Sequence, residues 1–206
     1  MSAPDFHLYL ASASPRRAAL LEQIGVRYRL IDGEVDEQVH AEESPADYVT
    51  RLAMAKAQAG RLALAPADPH PVLGADTSVV IDGQILGKPG SRDAALAMLR
   101  QLAGRCHEVY SAVALVGRQA NAACTISQVC FGPLTQADLE AYWASGEPLG
   151  KAGAYAIQGL AAMFIERLQG SYSAVMGLPL FETRSLLLRE GIDMLKAPNT
   201  TKGTGA

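Results

Sequence analysis

The stretch Leu8-Tyr-Leu-Ala-Ser-Ala-Ser-Pro-Arg-Arg17 limits most tightly what this chain can fold into. Its apolar run, Leu8 to Ala11, has the length and flanks of a buried strand. Ser14 follows as a candidate N-cap, and Pro15 suits the first helical position, where its missing N–H costs nothing. Ala18, Leu20, Leu21 and Ile24 continue as a helical apolar face, and Gly25 is the expected stop. A strand, a tight loop of small residues and a helix N-terminus bring free N–H groups and the positive end of a helix dipole beside Ser12 and Ser14. That arrangement is an anion site. Arg16 and Arg17 break the usual rule for a first turn, where a cation opposes the dipole at a cost of ~0.3–1 kcal/mol. They read either as two solvated charges or as partners for a phosphate chain, which guanidinium groups suit.

Downstream, residues 28–31 read as a second strand. Ser44-Pro45-Ala46-Asp47 opens a helix to about residue 64 with an N-cap, a proline at the first position and an acid at the third. Its apolar stripe is Val49, Leu52, Ala53, Ala59, Gly60 and Ala63, and Lys56 lies in the middle of it. A lysine there either snorkels to water or points at a buried anion. Residues 72–81 read as a strand, and Asp82-Gly83 turns it into a hairpin with residues 84–86. Asp76 interrupts that strand against propensity, which marks either a bulge or a placed carboxylate. Lys88 follows in Gly87-Lys-Pro89.

Residues 91–102 form an amphipathic helix, residues 107–116 and 122–131 an antiparallel pair, and Thr135 with Asp138 starts a helix to about residue 145. Gly150-Lys-Ala-Gly-Ala-Tyr-Ala-Ile-Gln-Gly159 is a small-residue loop that carries Lys151, Tyr155 and Gln158, so backbone can approach a ligand there. Residues 162–168 read as a strand, and Gly177-Leu-Pro179 leads into a last helix ending near Gly191. The mixture without strict alternation predicts an α/β fold with a mixed twisted sheet flanked by helices. Residues 1–192 are expected to be one domain, with a flexible tail over 193–206.

The net charge is −3, which argues against a surface for nucleic acid polymers, so any cation that meets phosphate must be local. No run has the length of a membrane span, and the N-terminus lacks a secretory pattern. Cys106, Cys124 and Cys130 show no C-x-x-C spacing and read as reduced thiols in a cytoplasmic protein. Arg16, Arg17, Lys56, Lys88 and Lys151 together with Glu37 and Asp76 fit a triphosphate and a divalent metal, Mg²⁺ or Mn²⁺. There is no Walker A motif and no kinase signature.

From about residue 8 to 191 the chain resembles the Maf family of nucleoside triphosphate pyrophosphatases. The matched segments are Ser12-Ala-Ser-Pro-Arg-Arg17, Asp36-Glu37, Lys56-Ala57, Leu73-Gly-Ala-Asp-Thr77, Gly87-Lys-Pro89, the 150–159 loop and Val175-Met-Gly-Leu-Pro179. The resemblance implies two lobes around a central cleft, as in inosine triphosphatase-like proteins, and cleavage of a free nucleoside triphosphate to monophosphate and pyrophosphate. It implies that Asp76 is the proton acceptor. Arg16, Thr77 and Gln158 fall on positions tied to substrate choice, and Lys56, Lys88 and Glu37 on positions around phosphates and metal. The loop resembles the dTTP and UTP branch, a house-cleaning activity on ordinary or modified pyrimidine nucleotides. The family is also associated with restraint of cell division, so a nucleotide-binding regulator is the rival reading. The resemblance leaves a homodimer open. Two departures stand out. The family usually has an acid at the position of Gly150, for which Glu147 is the nearby candidate to compensate. It usually has glycine at Ala156, so no positive φ is expected there.

Overall fold

The structure is a computed structural model and describes residues 6–196. In chain order it runs β1 (Leu8–Leu10), α1 (Pro15–Gln23), β2 (Tyr28–Leu30), α2 (Pro45–Leu62), β3 (Val72–Ile81) and β4 (Gln84–Leu86). Then come α3 (Arg92–Leu102), β5 (Cys106–Val116), β6 (Ala120–Phe131), α4 (Gln136–Ala144), β7 (Ile165–Gln169), α5 (Tyr172–Met176) and α6 (Leu180–Arg189). The sheet order is β2-β1-β3-β5-β6-β7, with β4 also on β3. β1 is parallel to β2 and β3, and the other pairs are antiparallel. This is the mixed α/β sheet that the sequence predicts.

β3 organises the sheet. One edge pairs with β5 from Val72 to Val80. On the other edge β1 covers only Val72 and Leu73, and β4 only Val79 to Ile81. Between them, Gly74 to Ser78 face a gap, and two lobes open around it. In one lobe α1 and α6 pack Leu20, Leu21, Leu186 and Leu187 against Leu8, Leu10, Leu73 and Val113. On the opposite face of the sheet α2 packs Val49, Leu52, Ala53 and Ala57 on Ala112 and Ala114. In the other lobe Leu96, Leu99, Leu139 and Tyr142 close over Val79, Val109, Val129 and Phe131.

Ser44 caps α2 by accepting from the Asp47 N–H, and Thr135 and Asp138 form a reciprocal capping box on α4. Several expectations are corrected. Ser14 holds the N-cap position of α1 but makes no side-chain cap. Residues 162–168 are not one strand: Leu160–Phe164 wind as a 3-10 helix and only Ile165 onward is extended. α5, capped by Ser171, is an addition to the predicted elements. Of the expected tail, 193–196 form a turn whose Met194 packs on the α1–α6 core, and 197–206 lie outside the described residues. The reduced-thiol expectation fails for two of three cysteines. The β5–β6 register sets Cys106 opposite Cys130, with Cα atoms 3.9 Å apart, and they form a disulfide. Spacing alone could not show this, because register, not separation, makes the pair. Cys124 is free and exposed.

His107 is buried beneath the cleft. Its Nε2 meets the Tyr155 hydroxyl at 2.8 Å, and its Nδ1 has no partner among the described residues. Burial lowers its pKa to about 4 from 6.5. The unfolded chain therefore binds the proton more tightly, and the stability from neutral His107 is full above pH ~6.5 and is lost as pH falls through 4. The shift corresponds to about 3 kcal/mol. Thermal melts at pH 7 and 4.5 should show a smaller acid-induced fall for His107→Gln than for the unmodified protein. Equal falls would contradict this account.

Candidate active site

Asp76 sits in the gap of β3, where neither β1 nor β4 takes its edge. Gly74 allows α2 to come close on that face: a Cβ there would lie 2.3 Å from the Ala53 carbonyl and 2.6 Å from the Ala57 nitrogen. This close approach brings Lys56 to Asp76. The Lys56 ammonium donates to Asp76 Oδ1 at 2.7 Å and to Glu37 Oε1 at 2.6 Å. Both Lys56 and Asp76 are buried, so the lysine in the apolar stripe points at buried anions and does not snorkel. Lys88, exposed, stands 3.7 Å from Glu37 Oε2. Burial pushes the Glu37 pKa up, but the Lys56 hydrogen bond and the charges of Lys56, Lys88 and Arg17 outweigh it, and the net shift is down.

Across the gap, the two arginines of α1 dock on the end of α5. Arg16 Nε donates to the Met176 carbonyl at 3.2 Å, and Arg17 Nε to the Gly177 carbonyl at 2.9 Å. Arg17 Nη1 also donates to Ser12 Oγ at 2.9 Å. These carbonyls compensate the cations that the α1 dipole disfavours. Both arginines line the cleft. The Val175-Met-Gly-Leu-Pro179 motif is thus a backbone cradle for arginine.

Thr77, on the opposite face of β3 from Asp76, shares a 3.0 Å hydrogen bond with Ser111 Oγ, which donates to the Ala174 carbonyl at 2.5 Å. Ser111 was not legible beforehand, nor was Tyr48, whose hydroxyl donates to the Glu37 carbonyl at 2.8 Å and holds that loop. A tyrosine in the first turns of a helix and a serine within a strand carry no signal of their own.

Ser12, Arg16, Arg17, Glu37, Lys56, Asp76, Thr77, Lys88, Lys151 and Gln158 all line one cleft of about 1230 Å³. The fold brings every predicted residue to it. Lys151, however, turns its ammonium to the Glu147 and Leu149 carbonyls at 2.5 and 3.3 Å. Burial, with Arg16 nearby, lowers its pKa. Gln158 is exposed and its amide has no hydrogen-bond partner among the described residues. Gly153 donates to the Gly87 carbonyl at 3.2 Å, which joins this loop to the one bearing Lys88. Gly150 has φ +67° with open space where a side chain would stand, and Ala156 lacks a positive φ, as its identity implies. Ala154 does have one, at +59°, an unfavourable conformation of the kind that gathers at ligand sites. Glu147 does not compensate for Gly150, because it is not on the cleft and its carboxylate is engaged elsewhere.

Among the described residues no three His, Cys, Asp or Glu side chains gather as a metal cage. Two carboxylates that converge on one ammonium do fit a hard divalent cation that takes its other ligands from substrate phosphate and water.

The fold and the cleft define a mixed α/β protein with a cation-rich, two-carboxylate site at an open strand edge. The chain belongs to the Maf family: the model described as Maf-like protein matches residues 7–190. A protein of Alkalilimnicola ehrlichii named dTTP/UTP pyrophosphatase is 51% identical over 191 residues, which cover 91% of this chain and 94% of that one. A protein of Methylobacillus flagellatus with the same name is 51% identical over 186 residues, 90% of this chain and 93% of that one. Among solved structures, a nucleoside triphosphatase named dITP/XTP pyrophosphatase from Mycobacterium abscessus is similar over 92% of this chain and 96% of that one, with 17% identity and a TM-score of 0.41.

Proposed function

We propose that this chain hydrolyses dTTP and UTP to the monophosphate and pyrophosphate. The names of relatives about half identical over most of their length support the substrate class. The observation that carries the chemistry is the Lys56 ammonium between Asp76 and Glu37, facing two arginines that are docked through Nε alone or with one further nitrogen. Both acids are in place and converge, which a protein that only binds nucleotide would not need.

In this reading the α1 N-terminus, Ser12, Arg16 and Arg17 hold the phosphate chain. Lys56, Lys88 and Lys151 add positive charge along it, which for Lys151 requires leaving its carbonyl partners. Thr77 and Gln158 face the nucleoside. Asp76 keeps Oδ2 without a hydrogen bond among the described residues while Oδ1 is held by Lys56. That free oxygen takes the proton of a water whose oxygen bonds to the α-phosphorus as the bond from that phosphorus to the bridging oxygen breaks. The electron pair leaves with pyrophosphate, whose charge the arginines and lysines neutralise. Glu37 and Asp76 would hold Mg²⁺ or Mn²⁺, which supplies charge neutralisation on the phosphates. Residues 1–192 work as one domain, and the substrate is a free nucleotide of the cytoplasm. Among the described residues no helix is long and apolar enough to cross a membrane.

Gln158 is proposed to read the base. Uracil and thymine offer an acceptor at O4 beside a donor at N3, and a glutamine amide offers the matching pair. A nucleotide panel with magnesium or manganese, with pyrophosphate and orthophosphate measured separately, tests the whole reading. dTTP and UTP should show higher kcat/KM than GTP, ATP or 7-methyl-GTP, and activity should vanish in chelator. Gln158→Ala should flatten the preference more than it lowers the best rate. Better cleavage of purines, or orthophosphate as first product, would overturn the reading.

A further inference from the structure

The loop that carries Gln158 is anchored from outside the cleft by one carboxylate. Glu147 follows α4 and does not line the cleft. Its Oε2 accepts the Leu160 N–H at 2.8 Å, and its Oε1 accepts the Ala161 N–H at 3.2 Å and the Tyr142 hydroxyl at 2.8 Å. The Tyr142 oxygen in turn accepts the Ala156 N–H at 3.3 Å. Gln158 lies between Ala156 and Leu160, so these contacts fix the backbone on both sides of it. Its own amide has no hydrogen-bond partner among the described residues, so where it stands follows from its backbone, which the Gly159 N–H to the Ala156 carbonyl and the buried Ile157 side chain also hold.

The fit is close. A Cβ on Gly159 would lie 2.1 Å from Glu147 Oε2. The Gly159 φ of −110° is not left-handed, and a side chain there would run into the Glu147 carboxylate. Burial raises the Glu147 pKa, but the Leu160 N–H, the Tyr142 hydroxyl and the Ala161 N–H outweigh it, and the carboxylate stays ionised. A charged acceptor makes each of these bonds stronger than a neutral one would. At the other end of the loop, the Glu147 carbonyl accepts from Lys151.

We infer that Glu147 is a positioning residue for base reading: through Leu160, Ala161 and Tyr142 it sets where Gln158 stands, without touching substrate or metal. This rests on the nucleotide reading above. Glu147→Gln keeps the shape but turns one acceptor oxygen into an NH₂ group facing a backbone N–H. The KM for dTTP should rise about tenfold with kcat changed less, and the preference for dTTP over GTP should shrink. Competitive inhibition by inorganic tripolyphosphate, which has no base, should keep its original inhibition constant. Gly159→Ala should give the same split by pressing on the carboxylate from the other side. In a Glu147→Ala background the added methyl should have little further effect, because the two changes act through one contact. If Glu147→Gln does not fold, Gly159→Ala alone decides the matter by the same split. Equal weakening of dTTP and tripolyphosphate would reduce Glu147 to a general structural role and overturn the inference, as would an unchanged KM in both variants. The base preference of the unmodified protein judges the nucleotide reading separately. Even if that protein favoured purines, the split between nucleotide and tripolyphosphate would still decide the role of Glu147.

Discussion

Asp76→Asn is expected to lower kcat by ~10²–10⁴-fold while leaving nucleotide binding and the fold largely intact. Asp76 sits in the one stretch of β3 with an uncovered edge, and one of its oxygens is already held by Lys56. The amide keeps the size of the carboxylate and can keep an oxygen toward that lysine, but it cannot take a proton from water. Lys56 stays paired with Glu37 at 2.6 Å, so no buried cation is left alone. That is why stability should hold while turnover does not. Pyrophosphate release, dTTP titration by calorimetry and a thermal melt, run on the same preparation, separate the three effects. A kcat near that of the unmodified protein would remove Asp76 from the base role. A fall in kcat matched by loss of fold would show that the carboxylate is structural.

The parts of this site that were legible in the sequence are those where a residue breaks a local rule. Arg16 and Arg17 at a helix start, Lys56 in an apolar stripe and Asp76 in a strand each violate the preference of their own element. The structure places all four on one cleft. Caps were legible for the same local reason, and Ser44 and Thr135 act as expected. What escaped depends on register or on distant backbone. Cys106 and Cys130 meet because β5 and β6 pair without slip from Val116 opposite Ala120 to Cys106 opposite Cys130. Ser111 and Tyr48 support Thr77 and Glu37 through contacts 34 and 11 residues away in sequence. Ser14 was misread because a serine before a helix proline looks the same whether or not its hydroxyl caps. Residues 162–164, read as the start of a strand over 162–168, instead belong to the 3-10 turn Leu160–Phe164, and the Glu147 carboxylate at its first N–H groups favours the wound form.

Lys56→Met should destabilise the protein by about 3–5 kcal/mol when divalent cations are removed, because it leaves a buried carboxylate without its counter-charge. The Lys56 and Asp76 side chains are each 11% exposed, whereas Glu37 is 45% exposed and adds little to this cost. Arg17 still faces both acids electrostatically, so the loss should fall at the lower end of that range. Methionine keeps an apolar stem along the α2 stripe, which limits the change to the ammonium itself. With the ammonium gone, Glu37 and Asp76 still converge on one place, and a bound divalent cation would supply the missing positive charge. Saturating Mg²⁺ or Mn²⁺ should therefore raise the melting temperature of the variant more than that of the unmodified protein, where lysine already occupies the position between the acids. Activity should stay low in both conditions, since a charge that stabilises the leaving phosphates is lost. Urea unfolding with chelator and with metal, for both proteins, reads the comparison directly. A variant as stable as the original in chelator would mean that Lys56 does not compensate a buried charge. An equal metal response in the two proteins would mean that the cation does not take over the charge of the missing ammonium.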